Sequence, residues 1–269
     1  MSRIRVFGHR GASAYRPENT MPAFRLAYEM GADAIECDIV PTKDGRLVIR
    51  HEPDLSETTN VLSIPKFAGR HQSFEFTLEE LQELRAIERL PEWRPGSAKF
   101  DVQFGIPTLD ELLEADFLNK KSVILEVKHG PLFAELGFDM VSLFAELVEQ
   151  SGIVDRCDVV VEAFEYETLI ALRSRLGARY TYIYLMEEWD EAHAFEFDGI
   201  SLDFALIRRR SDLVPLAHEH GQPVYAWTAR AEEAETSVEE YFHELVSTGV
   251  DGIFADHPDL LLNFVEGYA

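Results

Sequence analysis

The sequence is poor in cysteine and in positive charge, and it has no long apolar run. Cys37 and Cys157 are the only cysteines in 269 residues. Two are too few for a disulfide framework, so a reducing compartment is the expectation. Lys and Arg number 25 against 49 Asp and Glu, a net charge of -24. A field of that sign repels nucleic acid and anionic lipid surfaces, and the one basic cluster, residues 208–210, reads as a solvated patch. No nucleic-acid partner is expected. No segment approaches the roughly 18 consecutive apolar residues that suggest a membrane span. Met1 is followed by SRIRVFGHR, charged and strand-like where a signal peptide would carry its apolar region. The expectation is therefore no membrane insertion and a cytoplasmic location, with a homo-oligomer open. At 46% hydrophobic residues the chain can bury a full core, which excludes disorder.

What is present is a series of short, β-branched apolar runs: residues 4–8, 34–40, 46–51, 122–128, 158–164, 180–185, 198–204, 223–228 and 251–256. Most are separated by segments with helical periodicity, such as MPAFRLAYEM (21–30), LFAELVEQSG (143–152) and ETLIALRSRLG (167–177). Thr77 with Glu80 and Thr108 with Glu111 read as capping boxes, the first opening a helix over 77–88. Strands alternating with helices predict a parallel sheet, and the number and length of the units fit a (β/α)8 barrel spanning residues 1–269. Nine candidate strands compete for eight places. DGIFAD (251–256) is expected to lie outside the barrel or only to cap it. The link VPTKDGR between the second and third strands is too short for a helix, which predicts an extended return. Residues 53–105 lack a clear strand and read as a small insertion over the barrel mouth.

Active sites of such barrels lie at the C-terminal ends of the strands, so polar residues at those ends are the candidates. His9 and Arg10 follow the first strand, and Gly8 and Gly11 beside them are expected to let backbone and phosphate approach closely. Glu36 and Asp38 stand two apart on the second strand and point to one face, with Ile35, Cys37 and Ile39 on the other. Glu126 and Lys128 repeat that spacing on the fourth strand. Three carboxylates facing one axis repel one another. Either each pairs with a nearby cation, or together they hold one hard divalent ion, Mg²⁺ or Ca²⁺, with Mn²⁺ also admissible. His51 ends the third strand. Two histidines next to such a cluster can accept and donate protons, which suits displacement at phosphorus. Arg10 and Lys128 can reverse the local field for an anionic phosphate, although Lys128 also fits a structural pairing with Glu126 or Glu36. Phe164, Phe204 and Trp227 are strand-end aromatics; Phe164 and Trp227 are the candidate pocket walls. The other histidines, at 71, 129, 193, 218, 220, 243 and 257, read as surface. In the PENT stretch, Thr20 is expected to cap the first helix, with Glu18 and Asn19 supporting the site.

The segments GHRGASAYRPENT, IECDIVPTKDGRLVIRHEPDLSETT, IPTLDELLE, LEVK, AWT and GVDGIFADHPDLL occur in an order that resembles the glycerophosphodiester phosphodiesterases. The resemblance implies a (β/α)8 TIM barrel of the PI-PLC-like phosphodiesterase type with an insertion after the third strand. It also implies one divalent metal ion and hydrolysis of glycerophosphodiesters, such as glycerophosphocholine, to sn-glycerol 3-phosphate and an alcohol. The family's histidines fall on His9 and His51, its metal carboxylates on Glu36, Asp38 and Glu126, and its phosphate-binding cations on Arg10 and Lys128. It implies further that the substrate's own glycerol hydroxyl attacks first and that water opens the cyclic phosphate. Four positions depart from the family pattern: Glu52, Glu57, Ala163 and Arg230. Two other readings remain: hydrolysis of lysophospholipids in a phospholipase D manner, and a phosphodiester-binding barrel without catalysis.

Overall fold

A computed structural model describes residues 3–268. Nine strands form one sheet: β1 (Arg5–Gly8), β2 (Ala34–Pro41), β3 (Leu47–Ile49), β4 (Ser122–Val127), β5 (Asp158–Ala163), β6 (Thr181–Met186), β7 (Gly199–Asp203), β8 (Val224–Ala229) and β9 (Gly252–Ala255). Their order is β1-β9-β8-β7-β6-β5-β4-β2-β3, and an additional β1–β2 pairing closes the ring. Eight parallel strands make a closed (β/α)8 barrel. The ninth, β3, pairs antiparallel on β2.

The expected outlier is thus the wrong one. DGIFAD contributes β9, which hydrogen-bonds to both β8 and β1 and completes the barrel. The strand outside is the one in RLVIRH. The short VPTKDGR link folds β3 back against the end of β2, as its length requires, and a strand returning antiparallel has no place in a parallel ring. β9 can enter because Gly252 carries no side chain: a Cβ there would lie 2.5 Å from the Phe7 ring. Phe7, Ile124, Val160, Ile183, Tyr225 and Phe254 fill the barrel interior below the mouth.

Every residue of β2 is buried, since one face meets the barrel interior and the other the helices. The parallel register brings Asp38 opposite Glu126, and Glu126 opposite Glu162, so carboxylates on three successive strands stand at one level. The helix Met21–Glu29 begins where Thr20 Oγ1 accepts from Ala23 N, and it buries Ala23, Phe24, Ala27 and Tyr28. Both expected capping boxes form, but the helix expected over 77–88 is one turn, Leu78–Leu81. The rest of that stretch packs Leu84 and Ala86 inward and pairs its backbone with Thr58 and Phe104.

Gly8 and Gly11 make room for protein rather than for phosphate. A Cβ on Gly8 would meet Ala27 Cβ at 2.7 Å, and one on Gly11, whose φ is +83°, would meet the Ala23 carbonyl carbon at 2.5 Å. The first helix therefore packs directly on the turn that carries His9 and Arg10. Gly11→Ala is expected to destabilise the protein by about 3 kcal/mol, combining overpacking with left-handed strain. A lowered urea midpoint at constant m-value checks this; an unchanged midpoint contradicts it.

Candidate active site

The turn after β1 sets two side chains at once. Arg10 adopts φ 56°, and its backbone N donates to Glu36 Oε2 at 2.8 Å. Its guanidinium reaches Glu18 Oε1 at 3.0 Å and lies 3.4 Å from Asp38 Oδ2. Asn19, also left-handed, donates from Nδ2 to Asp38 Oδ2 at 2.8 Å. The PENT stretch therefore orients Arg10 and Asp38 while Thr20 caps the helix.

His9 rests its Nδ1 2.6 Å from Asp256 Oδ1. Although burial opposes it, His9, Arg94 and Arg230 hold the Asp256 carboxyl well below the usual range. An ionised Asp256 requires a donor, which assigns the proton to Nδ1 and leaves Nε2 basic. Burial first, and then the Arg10 charge, push His9 down to about 4 against the pull of Asp256, so the ring is neutral at pH 7. His51 has a parallel arrangement: its Nδ1 lies 2.6 Å from Glu52 Oε1, and its Nε2 lies 3.9 Å from Asp38 Oδ1.

Glu36, Asp38 and Glu126 are 3%, 1% and 7% exposed, and each offers an oxygen within 4.8 Å of the others. Burial, followed by the charges of Asp38 and Glu126, raises Glu36 well above the usual carboxylate range. Burial also raises Glu126, against the pull of Lys128. Asp38 is pulled down in spite of burial by His51, Arg10 and Lys128. Glu36 Oε1 has no hydrogen-bond partner. Crowded hard oxygen donors with an unpartnered atom are the donor set of a divalent cation such as Mg²⁺ or Ca²⁺, and these residues fit one. Lys128 Nζ lies 2.7 Å from Glu126 Oε1 and 3.6 Å from Asp38 Oδ1, so the expected carboxylate pairing exists alongside its place in the cavity wall.

One cavity of about 490 Å³ gathers His9, Arg10, Glu36, His51, Glu126, Lys128, Phe164 and Trp227, with Asp38 buried beside them. Phe164 and Trp227 meet edge to face, 5.6 Å apart at 83°. Phe204 is buried in the core at the start of its helix. Four histidines expected on the surface, His71, His129, His193 and His257, are half-buried: His129 lines the cavity, because the chain turns left-handed at φ 49° directly after Lys128, and His257 stacks edge-on against Tyr15. Of the four departures, Glu52 holds His51, Arg230 Nε reaches Asp256 Oδ2 at 3.0 Å, Ala163 is buried and Glu57 is exposed.

Sequence reasoning missed Asp256 and Glu162. Asp256 follows β9, so its site position depended on recognising that strand. Glu162 is 1% exposed, lines the cavity and has an unpartnered Oε1; its place opposite Glu126 was available from strand alternation. Arg89 and Arg94 carry no local signal, because their partners are distant in sequence.

The model of the glycerophosphoryl diester phosphodiesterase family matches residues 9–260. The chain belongs to this family. It is 31% identical to a glycerophosphodiester phosphodiesterase of Caldanaerobacter subterraneus over 97% of each chain. It is 26% identical to one of Bacillus subtilis, covering 99% of this chain and 88% of the relative. A phosphodiesterase from Oleispira antarctica, solved with the product sn-glycerol-3-phosphate, shares the fold with a TM-score of 0.79 at 23% identity, over 98% of this chain and 97% of the other. The chain is thus a phosphoric diester hydrolase, and its candidate site residues gather at one barrel mouth. Among the described residues no helix is long and apolar enough to cross a membrane.

The carboxylate cluster makes a prediction of its own. Mg²⁺ or Ca²⁺ at ~100 times its Kd should add about 2.7 kcal/mol of stability and raise Tm by roughly 5–10 °C. The double variant Glu36→Gln, Asp38→Asn should lose that shift. An equal shift in the variant would place the ion elsewhere.

Proposed function

We propose that this phosphodiesterase releases sn-glycerol 3-phosphate from soluble glycerophosphodiesters such as glycerophosphocholine, with His9 and His51 exchanging protons with the reacting oxygens. The observation that carries this reading is the pair of carboxylate-held imidazoles, each 2.6 Å from its partner, in one cavity with Arg10 and Lys128. The product complex of the Oleispira antarctica phosphodiesterase supports it.

A divalent cation held by Glu36, Asp38 and Glu126 would neutralise their repulsion and polarise a phosphate oxygen. Arg10 and Lys128 place fixed positive charge beside the phosphate, where charge builds in the transition state. His9, neutral and with Nδ1 committed to Asp256, accepts at Nε2 the proton of the attacking oxygen. In the first step that oxygen is the substrate's own glycerol hydroxyl, favoured by its proximity. The new P–O bond forms as the bond to the alcohol breaks, and His51 protonates the departing alcohol. Water then opens the cyclic phosphate with the roles exchanged: His51 takes the proton of water and His9 returns its own to the glycerol oxygen. Phe164 and Trp227 form an apolar wall for the carbon skeleton.

His9→Ala and His51→Ala should each lower kcat by about 10²–10⁴-fold. The test is glycerol 3-phosphate release from glycerophosphocholine and glycerophosphoethanolamine with Mg²⁺, Mn²⁺ and Ca²⁺ in turn. No release from either diester would overturn the reading, and faster turnover of lysophosphatidylcholine would replace it with the lysophospholipid one.

The acid limb has a defined sign. His9 must be unprotonated to accept a proton, so kcat/KM should fall as pH drops through about 4, which forms the acid limb of a bell-shaped profile. A rate–pH profile checks this, and an undiminished rate well below pH 4 contradicts it.

A further inference from the structure

The insertion reaches both proposed histidines through the carboxylates that hold them. Arg89 donates to both oxygens of Glu52, from Nη1 to Oε1 at 3.0 Å and from Nη2 to Oε2 at 2.5 Å, and Nη2 also meets Glu18 Oε1 at 2.9 Å. Glu52 is the carboxylate that holds His51. Arg94 donates from Nη2 to Asp256 Oδ2 at 2.5 Å and from Nε to Glu232 Oε1 at 2.6 Å. Asp256 is the carboxylate that holds His9. The side chains of Arg89 and Arg94 are 19% and 5% exposed, so neither is a free surface cation.

The turn carrying both arginines is itself fixed. Ala86 N donates to Phe104 O at 2.8 Å, Ile87 N to Thr58 O at 3.0 Å and Val102 N to Ala86 O at 2.9 Å. Glu88 N donates to Asp101 Oδ1 at 2.7 Å, and Leu90 N to Glu88 Oε1 at 2.9 Å. A turn tied on both sides presents its side chains from a rigid base. Arg89 binds Glu52 bidentately and so constrains both of its oxygens, whereas Asp256 has Oδ2 held by Arg94 and Arg230 and Oδ1 held by His9; each carboxylate is thereby fixed. In turn it constrains the imidazole that donates to it, in both ring orientation and tautomer. Small displacements matter here, since an error of about 1 Å in a reacting group can cost on the order of 10²-fold in rate.

We propose that the insertion is part of the catalytic apparatus, supplying one positioning residue to each histidine: Arg89 acting on His51 through Glu52, and Arg94 acting on His9 through Asp256. The proposal rests on the two-histidine reading above. It implies that seating of the insertion and alignment of the histidines are one event, so loosening either arginine misaligns one ring and leaves the other.

The charges facing His9 are Arg10 and Arg230, which disfavour its protonation, and Asp256, which favours it. Removing Arg94 leaves Asp256 less compensated, so His9 gains proton affinity and the acid limb moves to higher pH.

The test compares Arg89→Met, Arg94→Met and the corresponding Lys variants with the wild type on glycerophosphocholine, alongside long-range ¹H–¹⁵N correlation of the imidazole signals. Each Met variant should lose roughly 10–100-fold in kcat with KM little changed, and Lys should restore part of it. In the spectra, Arg89→Met should disturb His51 alone and Arg94→Met should disturb His9 alone. Only Arg94→Met should raise the acid limb. Should a Met variant fail to fold, its Lys counterpart carries the same comparison at smaller amplitude. Unchanged kcat, a fall in kcat with unchanged imidazole signals, or disturbance of both rings by either substitution would overturn the proposal. Inactivity of the wild type would instead overturn the parent reading, and the spectra would still decide whether the arginines hold the rings.

Discussion

Three buried carboxylates within 4.8 Å of one another are the constraint around which the site is organised. Left alone, they would repel strongly in a setting shielded from water. The surrounding structure is arranged against that cost. Arg10 gives Glu36 its backbone N–H and lies beside Asp38, Asn19 donates to Asp38, and Lys128 sits between Glu126 and Asp38. These contacts leave one Glu36 oxygen without a partner, and burial with the neighbouring carboxylates raises Glu36 well above the usual range. A divalent cation held there would relieve that crowding and offset the field of a chain of net charge -24 toward an anionic phosphate.

The same economy explains the first turn. Arg10 meets Glu36 because its backbone is left-handed, and the turn can press against the helix Met21–Glu29 because Gly8 and Gly11 lack side chains. The absence of side chains at these two glycines thereby seats the helix against the turn that carries His9 and Arg10. At the other side of the mouth, β9 delivers Asp256 to His9, and its entry beside β1 depends on a glycine facing Phe7. Barrel closure and the geometry of the candidate site share these small residues.

Much of this was legible in the sequence. Alternation placed Glu36 and Asp38 on one face, and barrel-strand ends flagged His9, Glu126, Lys128 and Trp227, because inward and outward residues of a barrel strand are separated by a period of 2; His51 was flagged on the same ground, but it follows β3, which returns antiparallel outside the ring. The helix caps at Thr20, Thr77 and Thr108 are local hydrogen-bond patterns and were equally readable. The choice between β3 and β9 was not, since both are short apolar runs and only pairing partners distinguish them. His129 looked like a loop residue because a single left-handed turn, invisible to periodicity, folds it back over the cavity. Arg94 reaches an aspartate 162 positions away, a contact that only the closed barrel creates.

Calorimetric titration of sn-glycerol 3-phosphate into the chelated protein, with and without added Mg²⁺ or Ca²⁺, tests the central claim most directly. Binding with the cation present and none detectable without it is the predicted result, since the uncompensated carboxylates would repel the phosphate. Equal affinity in the two conditions would contradict the account.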